Sequence, residues 1–117
     1  MSLFQWLERY SGASRRPELR QPQDPDSPVA RRRFRFSGNV QGVGFRYEAS
    51  MIAGELGLTG WVRNESDGTV TVETQGAEAC IAEFLRVIQS VPRFRISEVQ
   101  TEALPVSGTE TAFRIRY

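Results

Sequence analysis

The hydrophobic pattern after residue 30 alternates between two periods, one typical of strands and the other of helices. Phe34 and Phe36 lie on one side of an alternating run, which predicts a strand at residues 31–37. Similar alternation, with a hairpin signal at Ser66-Asp67-Gly68, predicts the remaining strands. These remaining predicted strands cover residues 59–65, 69–74, 95–102 and 113–117.

Apolar residues spaced by three and four positions predict two helices. The first helix is predicted at residues 45–56, followed by Gly57 where a C-terminal capping glycine belongs. The second is predicted at residues 77–91 and is closed by Pro92. Its buried face carries Ile81, Phe84, Leu85 and Ile88.

The predicted order is strand–helix–strand–strand–helix–strand, plus a final strand. Two helices on one face of an antiparallel sheet bury the apolar residues of such a chain. The fold class is therefore α+β, in the ferredoxin-like split βαβ arrangement with an extra C-terminal strand. That fold carries enzymes, RNA-binding modules and sensors, so it does not decide the function.

The first 30 residues have a different composition. Residues 1–10 could form two helical turns, and residues 11–30 carry four prolines among Ser, Gln, Arg and Asp. Such a stretch buries too little apolar surface to offset its ordering entropy. We therefore expect a disordered extension or linker at residues 1–30 and one domain at residues 31–117.

A glycine-bearing loop joins the first predicted strand to the first predicted helix, with the sequence GNVQGVGFR at residues 38–46. Gly42 and Gly44 permit backbone angles that a Cβ would forbid. Inward-facing N–H groups of such a loop form an anion-sized concavity, to which the positive end of the next helix adds. Arg46, in the first helical turn, can fold over the same cavity and bind two phosphate oxygens. The loop thus predicts a phosphate site.

Spacing alone identifies this loop only as an anion site. A Walker A loop requires a lysine, and the chain contains none. The dinucleotide-binding fingerprint requires a third glycine at the position of Tyr47. Neither type of nucleotide site is therefore indicated.

Asn64 is a second candidate, at the end of the strand that leads into the hairpin. It follows Val62 by two positions, so its amide points to the same side as a buried residue. A buried amide needs hydrogen-bond partners or holds a water molecule. Alternatively, Asn64 only initiates the turn at Ser66-Asp67-Gly68, and the pattern leaves both readings open.

Composition limits the available chemistry. All 15 basic residues are arginine, and with 14 acidic residues the net charge is +1, which gives no general attraction for nucleic acid. Histidine is absent, which removes the commonest general base and the usual zinc ligand. Cys80 is the one cysteine, so an internal disulfide and a thiolate metal cluster are excluded. Catalysis would have to use backbone amides, Arg, Asn, hydroxyls or carboxylates, and we expect no metal and no cofactor.

Together, two motifs resemble the signatures of the acylphosphatase family. Residues 38–46 match the family's first signature, and GWVRN at residues 60–64, followed by Gly68, Val70 and Gly76, matches the second. The FRIRY ending at residues 113–117 also resembles the family's last strand. The resemblance covers residues 31–117, and the N-terminal extension and Gly54 depart from it outside the motifs.

The resemblance implies metal-independent hydrolysis of a small acyl phosphate to a carboxylate and inorganic phosphate. In that reading the loop amides and Arg46 bind the phosphoryl group, and Asn64 positions the attacking water. Some family members orient the arginine with the terminal carboxylate, which implies an ion pair between Tyr117 and Arg46. The implied phosphate-binding residues are Gln41, Gly42, Val43, Gly44, Phe45 and Arg46.

Two other functions remain as alternatives. One is a related domain that binds phosphate or another anion for regulation without turnover. The other is an RNA-binding module, because residues 32–36 interleave arginine with phenylalanine on a fold whose open sheet face can stack bases. Without a secretory signal or an apolar run long enough for a membrane span, we expect a cytoplasmic, monomeric protein without a nucleic-acid or membrane partner.

Overall fold

The computed structural model of the protein describes residues 16–117. Within this range the chain forms one sheet and two helices, in the order that the hydrophobic pattern predicts. The strands are β1 (Val29–Asn39), β2 (Thr59–Asn64), β3 (Val70–Ala77), β4 (Arg95–Leu104) and β5 (Phe113–Arg116), and the helices are α1 (Phe45–Glu55) and α2 (Glu78–Gln89).

The core lies between the two helices and one face of the sheet. Phe34 and Phe36 of β1 are buried on this side, together with Val70 and Val72 of β3. The intervening arginines of β1 lie on the opposite face, because successive side chains of a strand point to opposite sides. Both helices contribute apolar residues to the same cluster, including Ile52 and Phe84. The predicted ferredoxin-like arrangement is therefore observed.

The strand order of the sheet is β4-β1-β3-β2-β5. The first four strands pair antiparallel, as predicted. The final strand differs, because β5 pairs parallel with β2 and makes the sheet mixed. Alternation within a five-residue segment indicates a strand but contains no information on its neighbour.

Residues 16–28 differ from the expectation of a disordered linker, because they lie against both helices. Arg16 forms an ion pair of 2.5 Å with Glu55 and one of 3.5 Å with Glu48, both on α1. The side chain of Gln21 donates a 2.6 Å hydrogen bond to the carbonyl oxygen of Glu55. These contacts use charges and backbone groups, which composition does not reveal. The two helical turns predicted at residues 1–10 lie outside the described residues, and the domain boundary at residue 31 stays a prediction.

Glu83 of α2 holds the same segment through the backbone of Arg20. Its carboxylate accepts hydrogen bonds from Arg86, at 2.7 Å and 2.8 Å, and from the backbone N–H of Arg20, at 2.6 Å. The bonds from Arg86, followed by the one from Arg20, lower the pKa of Glu83 from 4.5 to about 2. The carboxylate therefore stabilises the folded state when it is ionised.

We predict that this carboxylate contributes to acid sensitivity. Because the pKa of Glu83 is lower in the folded chain, its stabilisation is complete above pH 4.5 and is lost as the pH falls towards 2. Glu83→Gln should lower the free energy of unfolding at pH 7 and flatten its decline below pH 4.5. Urea unfolding at a series of pH values measures both effects. The control is Glu98→Gln, at an exposed position on β4, and an identical pH dependence in both variants would contradict the assignment.

Candidate active site

The loop between β1 and α1 turns the chain sharply at two glycines. Gly42 has a φ of 74° and Gly44 a φ of 81°, both in the left-handed region that residues with a Cβ rarely adopt. Gly44 is also the N-cap of α1, where its carbonyl oxygen accepts a 3.1 Å hydrogen bond from the N–H of Glu48. The first N–H groups of a helix have no partner within the helix, so the turn and the helix end together supply backbone donors.

Buried side chains fix both ends of this loop. Val40 is fully buried before the turn, and Phe45 is 2% exposed directly after it. The ring of Phe45 lies 5.0 Å from that of Phe36 and 4.9 Å from that of Phe94, measured between centroids. Because these aromatic contacts belong to the core, the loop between them has little freedom to shift.

Gln41 connects the loop to the β2–β3 hairpin. Its side-chain amide donates hydrogen bonds of 2.7 Å to the carbonyl of Glu65 and 2.9 Å to that of Thr69. The hairpin is thereby held beside the loop, and with it Asn64 at the end of β2. The side chain of Gln41 therefore holds the hairpin against the loop. The phosphate contact predicted for Gln41 would be made by its backbone N–H.

A pocket of about 270 Å³ lies in front of the loop. Asn64 lines it although 18 or more positions separate it from the loop residues, because the hairpin brings β2 alongside. Tyr47 and Tyr117 stand at its edge with exposed fractions of 62% and 93%. Of the predicted site residues, the pocket is lined by Gly42, Gly44, Phe45, Arg46 and Asn64.

Arg46 is half-buried at this pocket. Within residues 16–117 it has no carboxylate partner, so the predicted ion pair with the terminal carboxylate of Tyr117 is absent. The guanidinium carbon of Arg46 instead lies 4.9 Å from the centroid of the Tyr117 ring. That prediction was wrong because the strand β5 ends at Arg116 and the last residue presents its ring to the guanidinium.

Asn64 pairs with Val70 across the hairpin, two residues beyond the buried Val62. Its side chain makes no hydrogen bond to any of the described protein residues, so the amide is available to a ligand or a water molecule in the pocket. The neighbouring carboxylate of Glu65 is bonded to Arg63 at 3.0 Å, which lowers the pKa of that carboxyl. Glu65 is therefore a poor proton acceptor.

No group of three or more His, Cys, Asp or Glu side chains that could hold a metal ion occurs in the part of the chain that the structure describes. The donors gathered here are backbone N–H groups, one guanidinium and one carboxamide. Such a set suits a phosphoryl group and an oriented water molecule.

No motif or spacing singles out Arg93, but its side chain contacts the loop. It lies in the turn between α2 and β4, and its Nε donates a 2.7 Å hydrogen bond to the carbonyl of Val43. Fifty positions separate the two residues in sequence. Only the packing of the turn against the loop reveals this contact.

Three comparisons relate the chain to known proteins. The acylphosphatase family model matches residues 32–115. The acylphosphatase of Clostridium acetobutylicum is 41% identical over 81 residues, which cover 68% of this chain and 89% of that protein. The acylphosphatase of Bacillus licheniformis is 41% identical over 86 residues, covering 73% and 96%. The crystal structure of acylphosphatase from Bacillus subtilis has a TM-score of 0.71 at 30% identity, and covers 77% of this chain and 100% of that one.

We predict that the ring of Tyr117 helps to hold Arg46 for an anion. An exposed cation–π contact contributes roughly 0.5–1 kcal/mol, so Tyr117→Leu should weaken the binding of inorganic phosphate by about two- to fivefold. Tyr117→Phe keeps the ring and should bind as the parent does. NMR titration with phosphate measures both affinities. Equal weakening in the two variants would show that the hydroxyl, and not the ring, matters.

Proposed function

Since the chain belongs to the acylphosphatase family, we propose that the pocket at its β1–α1 loop is the site of acyl-phosphate hydrolysis. The enzyme class follows from the family: the chain is an acylphosphatase and acts on small acyl phosphates. The proposal concerns which of its residues bind, orient and stabilise the reacting groups. The observation that carries it is the convergence of Gly42, Gly44, Arg46 and Asn64 on one pocket.

The phosphoryl group occupies the concavity of the loop. Backbone N–H groups from Gln41 to Phe45 bind its oxygens, and the N-terminus of α1 adds partial positive charge. Arg46 binds two of the oxygens from the side, because a guanidinium presents parallel donors. Negative charge spread over the equatorial oxygens in the transition state is thus met by preorganised donors.

Asn64 orients the water molecule that attacks phosphorus. A carboxamide both accepts and donates hydrogen bonds, so its oxygen can accept a hydrogen bond from the water and direct a lone pair of the water oxygen at the phosphoryl group. The water oxygen forms a new bond to phosphorus while the bond from phosphorus to the acyl oxygen breaks. The electron pair leaves with the carboxylate, and the proton of the water passes to the phosphate.

This reaction does not require a histidine. The leaving group is a carboxylate whose conjugate acid has a pKa of about 4, so it departs without a general acid. Orientation and charge stabilisation account for most of the catalysis of phosphoryl transfer. The absence of histidine and lysine from the chain is therefore compatible with full activity.

The alternative functions are not favoured. The RNA-binding hypothesis requires the rings of Phe34 and Phe36 on the open face of the sheet. Both side chains are instead buried on the helical side, with exposed fractions of 2% and 0%. A regulatory domain without turnover would not need Asn64 at the pocket beside Arg46. No helix within residues 16–117 is long and apolar enough to span a membrane. A cytoplasmic, monomeric enzyme stays our proposal.

We predict that Arg46→Ala and Asn64→Ala each lower turnover of benzoyl phosphate by about 10²–10³-fold, because each removes a preorganised group from the transition state. Arg46→Ala should also weaken inhibition by inorganic phosphate, since the guanidinium binds the phosphoryl oxygens directly. Asn64→Ala should leave that inhibition nearly unchanged. Steady-state kinetics with circular dichroism of each purified variant measures these effects.

Arg114→Ala serves as the control for this pair of variants. Arg114 is an exposed arginine on β5 and makes no ion pair within the described residues. It should keep parental turnover. Turnover close to the parent in folded Arg46→Ala or Asn64→Ala would refute the assigned roles.

A further prediction concerns metal ions. Because the proposed chemistry uses only backbone amides, a guanidinium and a carboxamide, activity should survive dialysis against EDTA. Added Mg²⁺ or Zn²⁺ should not increase it. Phosphate release from acetyl phosphate before and after chelation is the measurement, and recovery of lost activity by a metal would contradict the mechanism.

A further inference from the structure

A side chain 50 positions further along the sequence holds one carbonyl of the phosphate loop. Arg93, in the turn between α2 and β4, donates from Nε to the carbonyl oxygen of Val43 at 2.7 Å. A hydrogen bond from a charged donor is about twice as strong as a neutral one. Its acceptor is the carbonyl of the peptide unit that joins Val43 to Gly44, in the middle of the loop.

The bond at this carbonyl fixes the direction of the next N–H. A trans peptide unit is planar, and its C=O and N–H point to opposite sides of the chain. When Arg93 holds the Val43 oxygen on the outer side of the loop, the N–H of Gly44 is directed to the other side. Gly44 lines the pocket there, beside Arg46.

Arg93 is itself fixed by its surroundings. One terminal nitrogen lies 3.3 Å from a carboxylate oxygen of Glu48, in the first turn of α1. The guanidinium carbon lies 4.7 Å from the centroid of the Phe94 ring, and that ring packs on Phe45. The Arg93 side chain is only 27% exposed, so its donor stays in a defined place before substrate arrives.

Gly44 allows the guanidinium to approach this closely. A Cβ at Gly44 would lie 3.3 Å from a terminal nitrogen of Arg93, which is tighter than ordinary van der Waals contact. Glycine at this position therefore permits the positive φ of the turn and also leaves room for the Arg93 guanidinium. The carboxylate of Glu48 balances the positive charge of Arg93.

We propose that Arg93 is a positioning residue of this acylphosphatase, which directs the Gly44 N–H at the phosphoryl group by holding the Val43 carbonyl. The inference rests on the proposed function of the loop. Arg93 does not touch the substrate. It removes the freedom of the central peptide of the loop to rotate, and so maintains the donor geometry that the transition state requires.

The test removes the hydrogen-bond donor of Arg93 while keeping the packing of its aliphatic part. Arg93→Met retains an unbranched apolar chain over Phe94 and removes every hydrogen-bond donor. Its kcat/KM for benzoyl phosphate should fall by about ten- to hundredfold, since misplacement of a reacting or binding group by 1 Å costs about that much. Arg93→Lys keeps a positive charge and hydrogen-bond donors at this position, and should recover part of the loss.

The matched control is Arg95→Ala, two residues further on. Arg95 is exposed and makes no side-chain hydrogen bond or ion pair within residues 16–117, so its removal should leave kcat/KM unchanged. Arg46→Ala, assayed in parallel, tests the proposed function itself. If Arg46→Ala is inactive while Arg93→Met equals Arg95→Ala, the role of Arg93 is refuted and the proposed function stands. If Arg46→Ala is active, the proposed function fails.

A direct readout separates positioning from a contribution to stability. In the parent, inorganic phosphate should shift the amide proton resonance of Gly44, and in Arg93→Met that shift should be much smaller at saturating phosphate. A lower melting temperature with an unchanged Gly44 shift and parental kcat/KM at 25 °C would assign Arg93 to stability alone and overturn the proposal. If Arg93→Met does not fold, the same two measurements on Arg93→Ala decide, because alanine also lacks a donor, and parental values for both would again overturn the proposal.

Discussion

In the proposed mechanism, the loop between β1 and α1 leaves its N–H groups free for an anion while its other polar groups are satisfied. An unpaired buried backbone group destabilises the folded state. A loop whose N–H groups face inward therefore needs hydrogen-bond donors for the carbonyl groups on its outer side. Arg93 pairs the carbonyl of Val43 in this way, and the side chain of Gln41 ties the loop to the carbonyls of the hairpin. The donors on the inner side are therefore oriented before substrate binds. Much of the remaining structure serves this arrangement.

The core fixes the ends of the loop, and the hairpin supplies the residue that faces it. Val40 and Phe45 are buried on either side of the turn, and Phe45 packs between Phe36 and Phe94. Because Phe94 also lies under the guanidinium of Arg93, one aromatic cluster positions both the loop and its outer hydrogen bond. The proposed mechanism depends on positioning and charge, so it needs this rigidity more than it needs a reactive side chain.

The errors of the sequence-based predictions have a common physical cause. The carboxylate of Tyr117 was expected to pair with Arg46, but the ring faces the guanidinium. Ion pairs such as Arg16–Glu55 place residues 16–28 against the helices, and composition did not predict these contacts. The parallel pairing of β5 was not predicted. Each depends on a contact between distant parts of the chain, and local composition contains no record of such contacts.

The sequence by itself determined the elements, the α+β fold, the family and the chemical groups of the pocket. It could do so because hydrophobic periodicity is local and because the glycines, Arg46 and Asn64 occur in two short motifs. The tertiary structure decided what orients those groups. Arg93 reaches Val43 across 50 positions, and only the packing of the α2–β4 turn against the loop brings the donor within 2.7 Å of that carbonyl. The sequence position of a long, flexible arginine side chain does not reveal which group it will bind. The contact of Arg93 is therefore known only from the fold.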